Sequence, residues 1–232
     1  MRVTLLPALL TVACLGLVAC SGDSDEGVHS EDPASVLAGA AETLSETSGT
    51  SLTLATDELP EGVNGITSAV GAVTDAPAFD GTLDIRLGGI DFDVPVIAVD
   101  GKVWAQIPLT SGWSDIDPGA YGAPDPSGLI GADAGLVALL EATDDPTKQD
   151  TVRGGEDNSE VLTTYTGTIA GDVMKRVIPS SADDTFDVVH HVTSDGQLRQ
   201  TEMTGVFYKD SDEMTYTLTV TEYGLDRTIT KP

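Results

Sequence analysis

The side chains best suited to metal binding are few in this sequence and poorly spaced for it. It has three histidines. His29 lies in a polar, acidic stretch, and His190 and His191 are adjacent in an alternating, strand-like segment, so their side chains point to opposite faces of the strand. Neither has the i+2 or i+4 partner of a zinc site. We expect solvated or internally hydrogen-bonded histidines and no metal.

No motif that activates a nucleophile or holds a cofactor is present. The sequence lacks G-x-S-x-G and S-x-x-K, and both cysteines lie at or before position 20. Arg153-Gly154-Gly155 lacks the lysine and the strand–loop–helix context of a phosphate-binding loop. The Asp pairs at 144–145 and 183–184 flank turns without EF-hand spacing. We therefore predict no enzyme, no catalytic residue and no cofactor.

Cys20 is the cysteine whose sequence context predicts a covalent modification. A single basic residue, Arg2, precedes an apolar run that ends in small residues, which is the layout of a signal peptide. Leu17-Val18-Ala19-Cys20 resembles the lipobox of bacterial lipoproteins, in which the cysteine thiol receives a diacylglycerol before cleavage. A plain secretory peptide and an uncleaved membrane anchor are the alternatives.

This N-terminus predicts three regions. Residues 1–19 are a signal peptide, residues 20–32 are a lipidated, acidic and flexible tether, and residues 33–232 are a single domain. The lipid on Cys20 would hold the protein at the extracytoplasmic face of the bacterial cell membrane, within the cell envelope.

The charge balance excludes some partners. The chain carries 38 acidic and 11 basic side chains, a formal charge of −27. Such a surface repels phosphate backbones, so nucleic acid is excluded as a partner. A polybasic attachment to anionic lipid is excluded for the same reason. The covalent anchor is then the only membrane attachment that the sequence offers.

The hydrophobic pattern predicts an α+β fold with about eight antiparallel strands and four short helices. Alternating segments predict strands at 51–56, 83–87, 92–98, 102–107, 161–169, 186–192, 198–208 and 214–223. Helical spacing predicts helices after Asp32-Pro33, at 66–73, after an Asp133 cap and at 173–178. Asp100-Gly101 and Asp195-Gly196 predict tight hairpins. Between 108 and 131 we expect an irregular segment. The alternation of Thr with apolar residues from Met214 to Thr221 predicts a sheet with one face in water.

Several short motifs in this order resemble the LprG/LppX group (LppX, LprA, LprF and LprG) of actinobacterial cell-envelope lipoproteins. They comprise the lipobox, the opening helix, Phe79-Asp-Gly81-x-Leu83, Ala98-Val-Asp100-Gly101-x-x-Trp104, Gly112-Trp113-Ser-Asp115, Gly135-Leu136-x-x-Leu139-Leu140, Asp195-Gly196-x-Leu198 and Leu218-x-x-x-x-Tyr223-Gly224. Each motif is weak alone, and their order and spacing carry the resemblance. This chain departs from the group in its acidity and in its Pro/Gly-rich segment 117–131.

The resemblance implies a curved antiparallel half-barrel sheet with short helices on its concave face. Between sheet and helices the group encloses an apolar cavity for the acyl chains of a lipid or lipoglycan. Carried over to this chain, the cavity positions on the sheet are Leu83, Ile85, Phe92, Val94, Val96 and Ala98. On the helices they are Ile66, Val70, Val73, Leu136, Leu139 and Leu140.

The function implied by the resemblance is lipid transport between the membrane and the outer envelope, with a membrane exporter as a candidate partner. Burying one CH₂ gains about 0.8 kcal/mol, so moving a sixteen-carbon chain from a bilayer into water costs about 13 kcal/mol. A protein that carries such a chain through water must therefore enclose it in an apolar site. The alternative is a non-carrier lipoprotein that acts as an assembly or interaction scaffold with a filled core.

Overall fold

A computed structural model describes residues 31–132 and 135–232. The expected signal peptide, Cys20, most of the expected tether and the expected Asp133 cap lie outside these residues. Glu31–Pro232 forms one compact unit. Its hydrophobic core is built from side chains between Leu37 and Val220, so this unit has a core of its own.

Three α-helices and eleven β-strands make up the described fold. The helices are α1 (Pro33–Ser45), α2 (Gly135–Glu141) and α3 (Gly171–Val177). The strands are β1 (Gly49–Ala55), β2 (Gly65–Thr74), β3 (Ala78–Leu87), β4 (Ile90–Val99), β5 (Lys102–Ala105), β6 (Ser114–Ile116), β7 (Asp144–Gly154), β8 (Glu160–Ile169), β9 (Phe186–Thr193), β10 (Leu198–Gly205) and β11 (Met214–Tyr223). Short 3₁₀ turns lie at Pro118–Tyr121, Pro126–Gly128 and Glu156–Asn158.

All eleven strands belong to one open antiparallel sheet in the order β6-β5-β4-β3-β2-β1-β11-β10-β9-β8-β7. The first and last strands are therefore neighbours at its centre, and β6 and β7 are its edges. The predicted α+β class and antiparallel half-barrel with helices on one face are confirmed. Both predicted hairpins are also confirmed, because β4 pairs with β5 around Asp100-Gly101 and β9 pairs with β10 around Asp195-Gly196.

One face of the sheet, which we call the inner face, carries the apolar side chains and is covered by the helices. On β11, Met214, Tyr216, Leu218 and Val220 are buried, whereas the intervening threonines are partly or fully exposed. The predicted wet outer face of this strand is confirmed. The helices add Leu37 and Leu44 from α1 and Met174 from α3 to the core.

Two glycines on the inner face allow an aromatic ring to lie flat against the sheet. Gly71 of β2 and Gly81 of β3 are paired in register. A Cβ at either position would collide with the ring of Phe79. The ring therefore occupies the space that two side chains would otherwise fill, as when an aromatic residue covers a strand glycine. Phe186 lies over Gly205 in the same way.

The predicted helix at 66–73 is wrong, because these residues belong to β2. The apolar spacing of Ile66, Val70 and Val73 imitates a helix because the intervening inner-face residues, Ala69 and Gly71, are small. Two strands also escaped prediction. β7 is a polar edge strand that is exposed along most of its length, and β6 has only three residues within the segment that we expected to be irregular.

Candidate functional site

Most of the predicted cavity positions on the sheet share the inner face of β2, β3 and β4. The strand register forms rows across these strands, and residues two apart on one strand lie on the same face. The rows are Val73–Phe79–Ala98, Gly71–Gly81–Val96, Ala69–Leu83–Val94 and Ile66–Ile85–Phe92. All six cavity positions predicted on the sheet therefore form one apolar surface, joined by Ile66 and Val73, which were predicted on a helix.

Val70 is the exception. It pairs with Thr82, between the inner-face rows, so its side chain lies on the outer face, where it is 59% exposed. The prediction placed Val70 beside Ile66 on one helix face. On a strand, a spacing of four residues keeps the same face only if the pairing is regular, and the β2–β3 register shifts between Ile66 and Ser68. Val70 is therefore corrected to an outer-face residue.

Burial decreases along the inner face from one end of the sheet to the other. Ala98 is fully buried, Phe79 and Val96 are nearly so, and Val94 is 7% exposed. Leu83, Ile85 and Phe92 are only partly buried against the core. The end of this surface at Phe79 and Ala98 is thus closed. The opposite end, formed by Leu83, Ile85 and Phe92, reaches solvent, and we call it the apolar mouth.

Of the predicted helical positions, the three on α2 lie in the cover of this sheet. Leu136, Leu139 and Leu140 of α2 are almost completely buried. Because α2 packs against both α1 and α3, it is apolar on all sides. The inner face of β2, β3 and β4 is contacted by the 3₁₀ turn Pro126–Gly128. The Pro/Gly-rich segment is therefore part of the cover.

The apolar cavity stays a prediction. Two open depressions, of about 560 and 620 Å³, lie at opposite ends of the central strands, outside the space between helices and sheet. The first is lined by residues such as Ser48, Pro77 and Arg227, and the second by acidic loop residues together with Leu59 and Met214. In the described conformation, helices and the Pro126–Gly128 turn occupy the inner face.

His190 is buried on the inner face and fully hydrogen-bonded. Its Nδ1 lies 3.0 Å from the hydroxyl of Thr201, and its Nε2 lies 3.0 Å from the hydroxyl of Thr143. Because the Thr143 hydroxyl donates to the carbonyl of Leu139, it accepts from Nε2–H, and Nδ1 is the acceptor. Burial lowers the pKa of His190 to about 3. The neutral imidazole therefore links the sheet to the end of α2 through hydrogen bonds.

His191 points to the opposite face, as predicted. Its Nδ1 lies 3.2 Å from the hydroxyl of Thr164, and burial lowers its pKa. Among residues 31–132 and 135–232, no group of three or more His, Cys, Asp or Glu side chains could hold a metal ion. Within the same ranges no helix is long and apolar enough to cross a membrane.

Two tyrosines bind the backbone of β2 beside the apolar mouth. The Tyr216 hydroxyl donates to the carbonyl of Ile66 at 2.6 Å, and the N–H of Ile66 donates to the Tyr208 hydroxyl at 3.2 Å. The two hydroxyls are 2.8 Å apart. Because the β1–β2 pairing stops at Ala55 and Ser68, these tyrosines satisfy backbone groups that β1 no longer reaches. The sequence signals neither this arrangement nor the part played by Thr143.

An open antiparallel sheet with an apolar inner face and a cover of short helices defines the structural class. The chain belongs to the LppX_LprAFG lipoprotein family, whose model matches residues 32–230. The resemblance drawn from the motifs is thereby confirmed.

Solved structures show the same fold. LprF from Mycobacterium bovis is similar with a TM-score of 0.69 at 15% identity, over 86% of this chain and 96% of that one. The lipoprotein LppX from Mycobacterium tuberculosis is similar with a TM-score of 0.61 at 17% identity, over 86% of this chain and 100% of that one. A comparison with curated protein sequences found no match.

Proposed function

We propose that this protein is a lipid-anchored carrier that binds the acyl chains of an envelope lipid or lipoglycan on the inner face of β2, β3 and β4. It takes its cargo from the membrane to the outer envelope while Cys20 holds it at the extracytoplasmic face. In this scheme a membrane exporter is the candidate partner that supplies or receives the cargo. The observation that carries the proposal is the apolar inner face, which runs from the core to a partly exposed mouth.

The cover of this face is suited to move. The Pro126–Gly128 turn lies over β2–β4, and its flanking segment is held by short-range turn hydrogen bonds, such as that from the N–H of Gly131 to the carbonyl of Gly128, and not by a long helix or a strand ladder. Segments of this kind open at lower free energy than strands and long helices do. An acyl chain would enter beneath the turn and bury Leu83, Ile85 and Phe92, which are half-buried in the described conformation.

The chemistry of the surface favours a neutral or glycosylated headgroup. The formal charge of the chain is −27, so a strongly anionic headgroup would meet repulsion. The ion pairs near β3 and β4 are already formed within the protein, between Arg86 and Asp91 and between Arg227 and Asp80. Sugar hydroxyls, by contrast, can bond to an acidic surface.

The test is direct extraction of cargo. The fragment 31–232, which has its own core, is produced in a bacterial host whose envelope contains such lipids. It is purified without detergent and then extracted with organic solvent. Mass spectrometry is expected to find one or two acyl lipids per protein. The empty fragment is then titrated with a fluorescent long-chain fatty acid, which should bind with saturation.

The competing function is an interaction scaffold, and one observation favours it: the Pro126–Gly128 turn already lies against the inner face of β2, β3 and β4 in the described conformation. A scaffold with a filled core would give a clean extract and no saturable binding of the fluorescent fatty acid. Those two results together would replace the carrier by the scaffold.

A further inference from the structure

We propose that the tip of the β3–β4 hairpin enters a neutral bilayer surface and delivers acyl chains to the inner face. This inference rests on the proposed carrier function and adds the docking element and the kind of surface that it meets. The tip consists of Leu87-Gly88-Gly89-Ile90. Its two apolar side chains are among the exposed large hydrophobic residues, with Leu87 at 44% and Ile90 at 61% exposure.

The tip is a preformed structure. Gly88 and Gly89 both have positive φ, of 57° and 79°, as in the two-residue turn that suits the twist of a hairpin. Leu87 and Ile90 are paired directly across the turn. The N–H of Gly88 donates to Oδ1 of Asn64 at 2.7 Å, which fixes the tip to the segment before β2.

The exposed pair continues the apolar inner face. Leu87 lies two residues beyond Ile85, and Ile90 lies two residues before Phe92, so all four share that face. Exposure rises in steps along the hairpin, from buried Val96, through partly buried Ile85 and Phe92, to the exposed pair. A single apolar track therefore leads from the tip into the core.

The occupant is inferred from charge and from the segment that precedes Glu31. Arg86 and Asp91 flank the tip and form a two-bond ion pair, with Nε–Oδ1 at 2.7 Å and Nη2–Oδ2 at 3.0 Å. The tip thus presents apolar side chains without an unpaired adjacent charge. Residues 1–30 contain the apolar run and Cys20, on which the lipid anchor is predicted. The surface within reach of such an anchor is a bilayer.

The absence of cysteine from residues 31–232 allows a single-site probe. Ile90→Cys is labelled with an environment-sensitive dye, and Val152→Cys, at a 42% exposed residue of the β7–β8 hairpin, is the matched control. With phosphatidylcholine vesicles, the dye at position 90 is expected to shift to the blue and the dye at 152 to stay unchanged. Adding anionic lipid should weaken the response because the chain is acidic.

Vesicle flotation supplies the second measurement. The Leu87→Ser/Ile90→Ser variant is expected to lose roughly tenfold or more in vesicle partitioning, because the apolar area of two side chains is removed. Val152→Ser/Val161→Ser is the matched control and should partition like the wild type. Circular dichroism checks that both variants are folded.

Two outcomes would overturn the inference: no spectral shift at position 90, or vesicle partitioning that is unchanged by the tip substitutions. The second would assign the tip to a protein interface or to none. Failure of the carrier function is detected separately, because it appears as absence of fatty-acid binding by the wild-type fragment in vesicle-free solution.

Discussion

The imidazole of His190 and the hydroxyl of Thr143 lie 3.0 Å apart and join the inner face of the sheet to the chain just after α2. Thr143 in turn donates to the carbonyl of Leu139 at the end of that helix. A buried, neutral ring is thus the polar connection between the most buried helix and the sheet. Protonation of the ring would place a charge in an apolar environment without a carboxylate to balance it.

We therefore predict that stability falls as the pH is lowered from 6.5 towards 3. The pKa of His190 is about 3 in the folded protein, against an ordinary value of 6.5, so the unfolded chain binds the extra proton in this interval. The free energy of unfolding should rise with pH there by up to about 1.4 kcal/mol per unit. The contribution is fully present above pH 6.5.

Urea unfolding of His190→Gln between pH 4.5 and 7 checks this prediction. The quantity compared with the wild type is the slope of the free energy of unfolding against pH, and not the absolute stability. His191→Gln is the control, and it should remove less of the slope because its ring is only half-buried. An unchanged slope in His190→Gln would show that another group is responsible.

Val94→Trp and Val70→Trp test the binding face with the same substitution on β4 and β2, the two strands that flank β3. Val94 lies on the inner face and Val70 on the outer face. We expect Val94→Trp to weaken fatty-acid binding about tenfold or more by filling the space of the acyl chain, and Val70→Trp to leave it unchanged. Titration with the fluorescent fatty acid measures both. If Val94→Trp instead costs about 1–3 kcal/mol of stability, the inner face is close-packed and the scaffold is favoured.

Substitution of glycine by alanine should have opposite effects at two positions. Gly205→Ala places a methyl group within the ring of Phe186, so we expect a loss of about 1–3 kcal/mol. Gly39 is exposed in the middle of α1 with no neighbouring atom within 4 Å of its Cβ position. There the alanine should stabilise the protein by about 0.5–1 kcal/mol. Thermal unfolding measures both, and a stabilised Gly205→Ala would contradict the ring placement.

Tyr216→Phe should loosen β2 at the apolar mouth. It removes the donor to the carbonyl of Ile66 and a partner of the Tyr208 hydroxyl, at a cost of about 1–3 kcal/mol. Hydrogen exchange should quicken at the amide of Ile66, while amides of the β9–β10 pairing keep their protection. Equal acceleration in both places would mean a global rather than a local effect.

The sequence predicts those parts of this fold in which side chains alternate strongly. β11 and the β3–β4–β5 hairpins are read correctly because apolar and polar residues alternate and Asp-Gly marks a turn. β2 is misread because the ring of Phe79 covers Gly71 and fills the space of a side chain there. A glycine therefore stands at an inner-face position where the alternation of a strand would show a large apolar residue. β7 is missed because an edge strand, with Pro146 and charged side chains, buries almost nothing that could reveal a period.

The sequence predicts the candidate site less completely than it predicts the fold. Inner-face membership of Leu83, Ile85, Phe92 and Val94 follows from period-two alternation alone. The hydrogen bonds of Tyr208, Tyr216 and Thr143 depend on contacts between distant segments, such as the 150 residues between Tyr216 and Ile66. No local pattern encodes contacts of this kind.

The position of β1 beside β11 has a consequence for folding. Strands β1 to β6 and strands β7 to β11 each pair with neighbours in sequence, so both meanders can form from local contacts. Joining them requires bonds such as that from Thr221 to Ser51, across 170 residues. Closing so long a loop is slow and entropically costly. When the chain is made from its N-terminus, the β1–β11 pairing cannot form until the last strand is complete. Until then β1 and the C-terminal half of the sheet each keep an unpaired edge.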